Sequence, residues 1–112
     1  MTRLGLTNGQ YRLATTQVPG SGLVIEFVEF KGVDRHSTRA GIQDPGSTRM
    51  QLQVRDMDAA MAALKRAGGT VVSTGGTSVA LPGRGGATTK TAIVRDPNNL
   101  FLVLIQAQAP PR

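Results

Sequence analysis

Residues 49–69 read Arg-Met-Gln-Leu-Gln-Val-Arg-Asp-Met-Asp-Ala-Ala-Met-Ala-Ala-Leu-Lys-Arg-Ala-Gly-Gly, and within them a strand gives way to a helix. Met50, Leu52 and Val54 alternate with Arg49, Gln51 and Gln53, the period-2 pattern of a strand with one apolar and one polar face. Past Asp56 the period changes. Met57, Ala60, Met61, Leu64 and Ala67 recur at helical spacing and form one apolar stripe. Asp56 suits the N-cap, and Asp58 adds negative charge to the first turn. Lys65 and Arg66 place cations in the last turn, and Gly68-Gly69 stops the helix. The strand turns its apolar side to the helix, so Arg49, Gln51 and Gln53 face away from it. A polar face of that kind meets water or lines a cavity.

Working outward, Thr70 to Thr74 reads as a short β-branched strand, and Gly75-Gly76 opens a loop. Gly83-Arg84-Gly85-Gly86 marks a turn, read as a flexible hairpin loop because it lacks the Lys-Ser/Thr ending of a phosphate loop. Thr88 to Arg95 is a strand, Asp96-Pro97-Asn98-Asn99 a tight turn, and Leu100 to Ile105 the last strand. Gln106 to Arg112 reads as a frayed tail. On the other side, Asn8-Gly9 marks a turn and Tyr11 to Val18 is strand-like. Pro19-Gly20-Ser21-Gly22 reads as a hairpin turn into Leu23 to Phe30, a strand rich in β-branched and aromatic residues. Lys31 to Ser47 is a polar, turn-rich connection. The order is β-β, connection, β-α-β-β-β, an α+β chain.

The stretch from Arg49 to Gln106 resembles a βαβββ module of the vicinal-oxygen-chelate superfamily, which includes glyoxalase I, bleomycin-resistance proteins and extradiol dioxygenases. The matching residues are the strand ending in Val54, the helix start Arg55-Asp56-Met57-Asp58-Ala59-Ala60, and its stop Ala67-Gly68-Gly69. The turn Arg95-Asp96-Pro97-Asn98-Asn99-Leu100 also matches, although it is one residue shorter than usual and lacks the family's glycine. The family carries two modules whose sheets curve around a cavity. By that resemblance, residues 1–30 match the end of a first module, 31–48 form a linker, 49–106 form a complete second module, and 107–112 are a tail. The implied fold is a β-hairpin followed by a βαβββ module, in a curved mixed sheet around a cavity. Two strands without a helix leave apolar surface uncovered and an edge unpaired, so a homodimer is expected to complete it. A different partner chain, or a truncated product, is the alternative.

Composition narrows the chemistry. The 112 residues contain no cysteine and one histidine, His36, so thiolate sites and multi-histidine metal sites within one chain are excluded. His36 lies in the turn-rich connection and reads as exposed. The net charge of +6 comes from 13 Lys and Arg against 7 Asp and Glu. These cations form no run, and the aromatics are only Tyr11, Phe27, Phe30 and Phe101, so no nucleic-acid platform is expected. No apolar run approaches the ~20 residues of a membrane span, and the start has no apolar secretory core. A cytoplasmic protein is expected.

Family members hold a divalent metal with a His or Gln from each module's first strand and a Glu from its last. By that resemblance, the second module's first position falls at Arg49, which cannot ligate a metal. A slip of one or two residues gives Met50 or Gln51, of which Gln51 is a weak ligand. The last-strand position falls at Leu102, and neither Phe101 nor Val103 restores a carboxylate. Only Glu26 matches a ligand position, so no metal and no other cofactor is expected. Glu26 is then a candidate catalytic base, a cavity group that pairs with Arg49, or an acid in water. The expected ligand wall takes Val24, Glu26, Val28 and Phe30 from the hairpin. From the module it takes Arg49, Gln51, Gln53, Leu102 and Leu104. Such a wall suits a small apolar ligand with an anionic group. The alternatives are a metal-dependent lyase, isomerase or dioxygenase of the superfamily, and an interaction module acting through an open sheet.

Overall fold

The computed structural model describes residues 9–107. The chain divides into two compact units, Met1–His36 and Ser37–Arg112. The first holds strands β1 (Gln10–Gln17) and β2 (Val24–Lys31), paired antiparallel from Gln10 opposite Lys31 to Gln17 opposite Val24. The turn between them is held by Val18 N–H donating to the Leu23 carbonyl at 2.9 Å, with Gly20 at φ 74°. Residues directly opposite share a face. Tyr11, Leu13, Phe30, Val28 and Val24 therefore lie on one side with Glu26, and Phe27 and Ile25 on the other. Arg12 and Glu29, directly opposite on that second side, form a salt bridge. The turn read at Asn8-Gly9 involves Asn8, which lies outside the described residues.

The second unit holds β3 (Arg49–Gln53), α1 (Met57–Arg66), β4 (Thr70–Val71), β5 (Val79–Pro82), β6 (Thr88–Arg95) and β7 (Phe101–Ala107). Its sheet runs β3-β7-β6-β4, with β5 also paired to β6. β3 is parallel to β7, and the other pairs are antiparallel. The α+β class stands. The structure adds one strand to those read from the sequence, β5. It is four residues long and ends at Pro82, a residue that a strand tolerates at an edge or end but not in its interior. β4 is only two residues long, because the chain enters a 3₁₀ turn at Thr74–Gly76. β7 continues through Gln106 and Ala107, two residues past the strand end expected at Ile105; residues 108–112 lie outside the described residues.

The helix is built as its sequence predicts. The Asp56 carboxylate accepts from Ala59 N–H at 3.1 Å. Met57 N–H, another of the first-turn donors left without intrahelical partners, donates to Gln106 Oε1 at 2.6 Å, tying the helix start to the end of β7. At the other end Gly68 takes φ 95°, and Gly69 N–H donates back to the Leu64 carbonyl at 2.8 Å. The apolar stripe then lands on the sheet. Met57 and Met61 are buried against Ala92, Val94 and Leu104, with Leu52, Leu64, Val71 and Leu102 packed around them.

Gly69 passes so close to the sheet that a Cβ there would sit 2.9 Å from Val94 Cγ1 and 3.0 Å from the Leu64 carbonyl oxygen. Gly69→Ala is expected to destabilise the protein by about 1–3 kcal/mol, the usual cost of overpacking. The drop is read as a lower denaturant midpoint at unchanged slope.

Candidate functional site

The register decides which side chains share the face opposite α1. Arg49 pairs with Phe101, Gln51 with Val103 and Gln53 with Ile105. Phe101 pairs with Arg95, Val103 with Ile93, and Ile105 with Thr91. These rows place Arg49, Gln51 and Gln53 along the exposed β3 edge of one face. Its centre is Phe101, Val103, Ile105 and Ile93, with Arg95 across from Phe101. None of these residues is acidic.

Leu102 and Leu104 were expected on this wall, and the structure places them elsewhere. They pair with Met50 and Leu52, whose side chains face α1. Leu104 is 2% exposed within the helix-packed core, and Leu102 packs against that core. Both faces of β7 are largely buried, so Phe101 to Ile105 reads as one apolar run from which the parity cannot be taken. The residues that do face with Gln51 and Gln53 are Val103 and Ile105. Gln51 and Gln53 are exposed, as is Arg49.

Val24, Glu26, Val28 and Phe30 do share one face, in β2 of the hairpin unit. Glu26 is exposed there, opposite Thr15. Its carboxylate takes part in no hydrogen bond or ion pair among the described residues. His36 is exposed, as expected.

On the face opposite α1 the donor set does not fit the divalent metal of the superfamily. The β7 positions on the face opposite α1 hold Phe101, Val103 and Ile105, and β3 offers only the amides of Gln51 and Gln53 beside a guanidinium. Among the described residues no three His, Cys, Asp or Glu side chains cluster. No step through a metal follows from these residues.

At one end of this face the segment 37–48 meets the sheet. Arg95 Nη2 donates to the Ala40 carbonyl at 3.0 Å. Its guanidinium carbon lies 4.4 Å from the centroid of the Phe101 ring, within cation–π range. The Arg95 Nη1 atom is buried with no hydrogen-bond partner among the described residues. Beneath lies the Asp96 turn. Asp96 Oδ1 accepts from Asn98 N–H at 2.9 Å and Leu100 N–H at 2.7 Å, and Asn99 takes φ 69°. Asparagine tolerates that left-handed conformation better than most residues, so Asn99 does the work of the absent glycine. Between this turn and the segment 37–48 is a cavity of about 200 Å³, floored by Phe101 and lined by Thr38, Ser47, Thr48, Asn98 and Asn99. Arg95 was not singled out from the sequence, although the alternation Thr91, Ile93, Arg95 against Ala92 and Val94 carries the signal.

No protein-family model and no curated protein matches the sequence. Among solved structures, a glyoxalase family protein from Bacillus cereus superposes with a TM-score of 0.70 at 17% identity. The match covers 96% of this chain and 69% of that one. The fold is therefore of the glyoxalase, or vicinal-oxygen-chelate, type.

Two substitutions separate the two faces. Leu104→Ala is expected to cost about 2–5 kcal/mol by opening a core cavity. Gln51→Ala, on the exposed edge, is expected to stay within about 0.5 kcal/mol of wild type. Parallel urea titrations check both.

Proposed function

We propose that the chain is a small-molecule binding protein on a glyoxalase-type scaffold, and that it takes an apolar ligand bearing one anionic group without metal-dependent catalysis. The observation that supports this is the composition of the face opposite α1. It has an apolar centre with a guanidinium on each side of Phe101, amides along the β3 edge and no carboxylate. Ile105 and Ile93 are half-buried and would take the apolar body. Arg49, beside Gln51 and Gln53, would pair with the charge, where a guanidinium binds a carboxylate or sulfonate in two-pronged fashion.

The apolar anion 1-anilinonaphthalene-8-sulfonate is a direct probe. The native protein is expected to bind it saturably, and Arg49→Gln to weaken that binding roughly tenfold, the loss typical of one charge-assisted pair. Equal affinity in the two proteins, with circular dichroism unchanged, would defeat the reading.

We also propose that the chain is a homodimer whose hairpin unit provides the contact. Tyr11, Leu13, Val24, Phe27 and Val28 are 44–60% exposed, on both faces of a two-stranded sheet. A hairpin of that kind is marginal in water without something packed on it. Light scattering at micromolar concentration is expected to give twice the chain mass, and Phe27→Glu to return the monomer. A monomeric wild type would sink the proposal.

A further inference from the structure

Arg95 is a half-buried cation, and no carboxylate pairs with it among the described residues. Its contacts are one carbonyl and one aromatic ring, and one of its N–H groups is buried without an acceptor. Buried charges are ordinarily paired, and a buried donor left unmatched is costly. Both residues it touches, Ala40 and Phe101, belong to the wall of the 200 Å³ cavity. A second cation is close. Arg49 is the register partner of Phe101 on its other side, and it follows Thr48 of the cavity lining.

The rest of the lining is uncharged and rich in donors. The hydroxyls of Thr38, Ser47 and Thr48 and the amides of Asn98 and Asn99 make no side-chain hydrogen bonds among the described residues. The nearby acids are already engaged. Asp96 accepts from the turn's own N–H groups, and Asp44 accepts from Gly41 N–H at 2.6 Å. The cavity is smaller than the roughly 300–1,000 Å³ that drug-sized ligands occupy. Free donors, two arginines, no free carboxylate and a small volume describe a site for a compact oxygen-bearing anion.

We infer that this cavity, between the segment 37–48 and the Asp96 turn, binds a small oxyanion, either a carboxylate or an inorganic phosphate. Arg95 holds the positive field behind Phe101 and Ala40, and the hydroxyls and amides supply the direct hydrogen bonds. The inference rests on the ligand-binding reading above and deepens it, since it adds Arg95 and the cavity donors to Arg49 in holding the ligand's charge.

The test is a ¹H–¹⁵N NMR titration of the full chain with acetate and, separately, with inorganic phosphate, against sodium chloride at matched ionic strength. Saturable shifts are expected at Thr48, Asn98 and Asn99 with one or both oxyanions and not with chloride. Which of the two saturates identifies carboxylate or phosphate as the partner. In Arg95→Gln the apparent affinity is expected to fall at least tenfold. Because Arg95 also ties the segment 37–48 to the sheet, the pair Thr48→Val and Asn98→Ala, which leaves that tie intact, is expected to weaken binding in the same direction. Shifts that follow ionic strength alone, or affinities unchanged in both variants, would overturn the inference. If the naphthalene probe still perturbs Gln51, Gln53 and Ile105 while the oxyanions leave the cavity untouched, the binding face stands and the oxyanion site falls. If neither responds, both fall.

Discussion

The packing of α1 on the sheet sets which side chains share each face of the second unit. Met57 and Met61 bury against Ala92, Val94 and Leu104, and side chains alternate strictly along a strand. Once those three sheet residues point to the helix, Phe101, Val103, Ile105, Ile93 and Arg95 must point away. A slip of one residue between β3 and β7 would turn Leu52 to the exposed side and Gln51 into the core. Hydrophobic burial therefore fixes the register, and the register fixes which polar groups share a face. The bond from Met57 N–H to Gln106 Oε1 reinforces this, because it closes the helix start onto the end of the same β7 strand.

The opposite end of the sheet is organised by polar contacts. Asp96 is engaged by backbone N–H groups of its own turn, and Asn99 accepts a left-handed backbone to close it. That turn delivers Phe101 into β7 directly across from Arg95. The Arg95 guanidinium then bridges the Phe101 ring and the Ala40 carbonyl, so one side chain fastens the segment 37–48 to the sheet. The same contacts leave the charge without a counterion among the described residues, beside a cavity lined by hydroxyls and amides. Fastening and anion attraction are compatible uses of a guanidinium, which has five N–H donors and a flat face.

The superfamily's metal chemistry needs a specific donor set, and the β3 and β7 residues on the face opposite α1 do not supply one. Arg49 stands at a first-strand position, and the last strand presents Phe101, Val103 and Ile105 to the same face. A fold of this type is a frame on which different sites are built, and the side chains carry the function.

Much of this was legible in the residues. The period-2 run at Met50 to Val54, the period-3.6 stripe from Met57, the Asp56 cap and the Gly68-Gly69 stop each report a local constraint, so the chain alone determined the strand, the helix and their order. The Asp96 turn was legible for the same reason, since its bonds join residues within four positions of each other. The face of Leu102 and Leu104 was not legible, because a strand buried on both sides carries no alternation to read. Only the pairing of Leu104 with Leu52 resolved it. β5 was invisible because four residues ending in proline have little intrinsic strand preference and depend on pairing with β6. Ala40 lies 55 positions from Arg95 and 61 from Phe101, and nothing local joins it to them. Their meeting was decided by the tertiary structure alone, because a contact between distant residues exists only after the sheet register has brought their strands together.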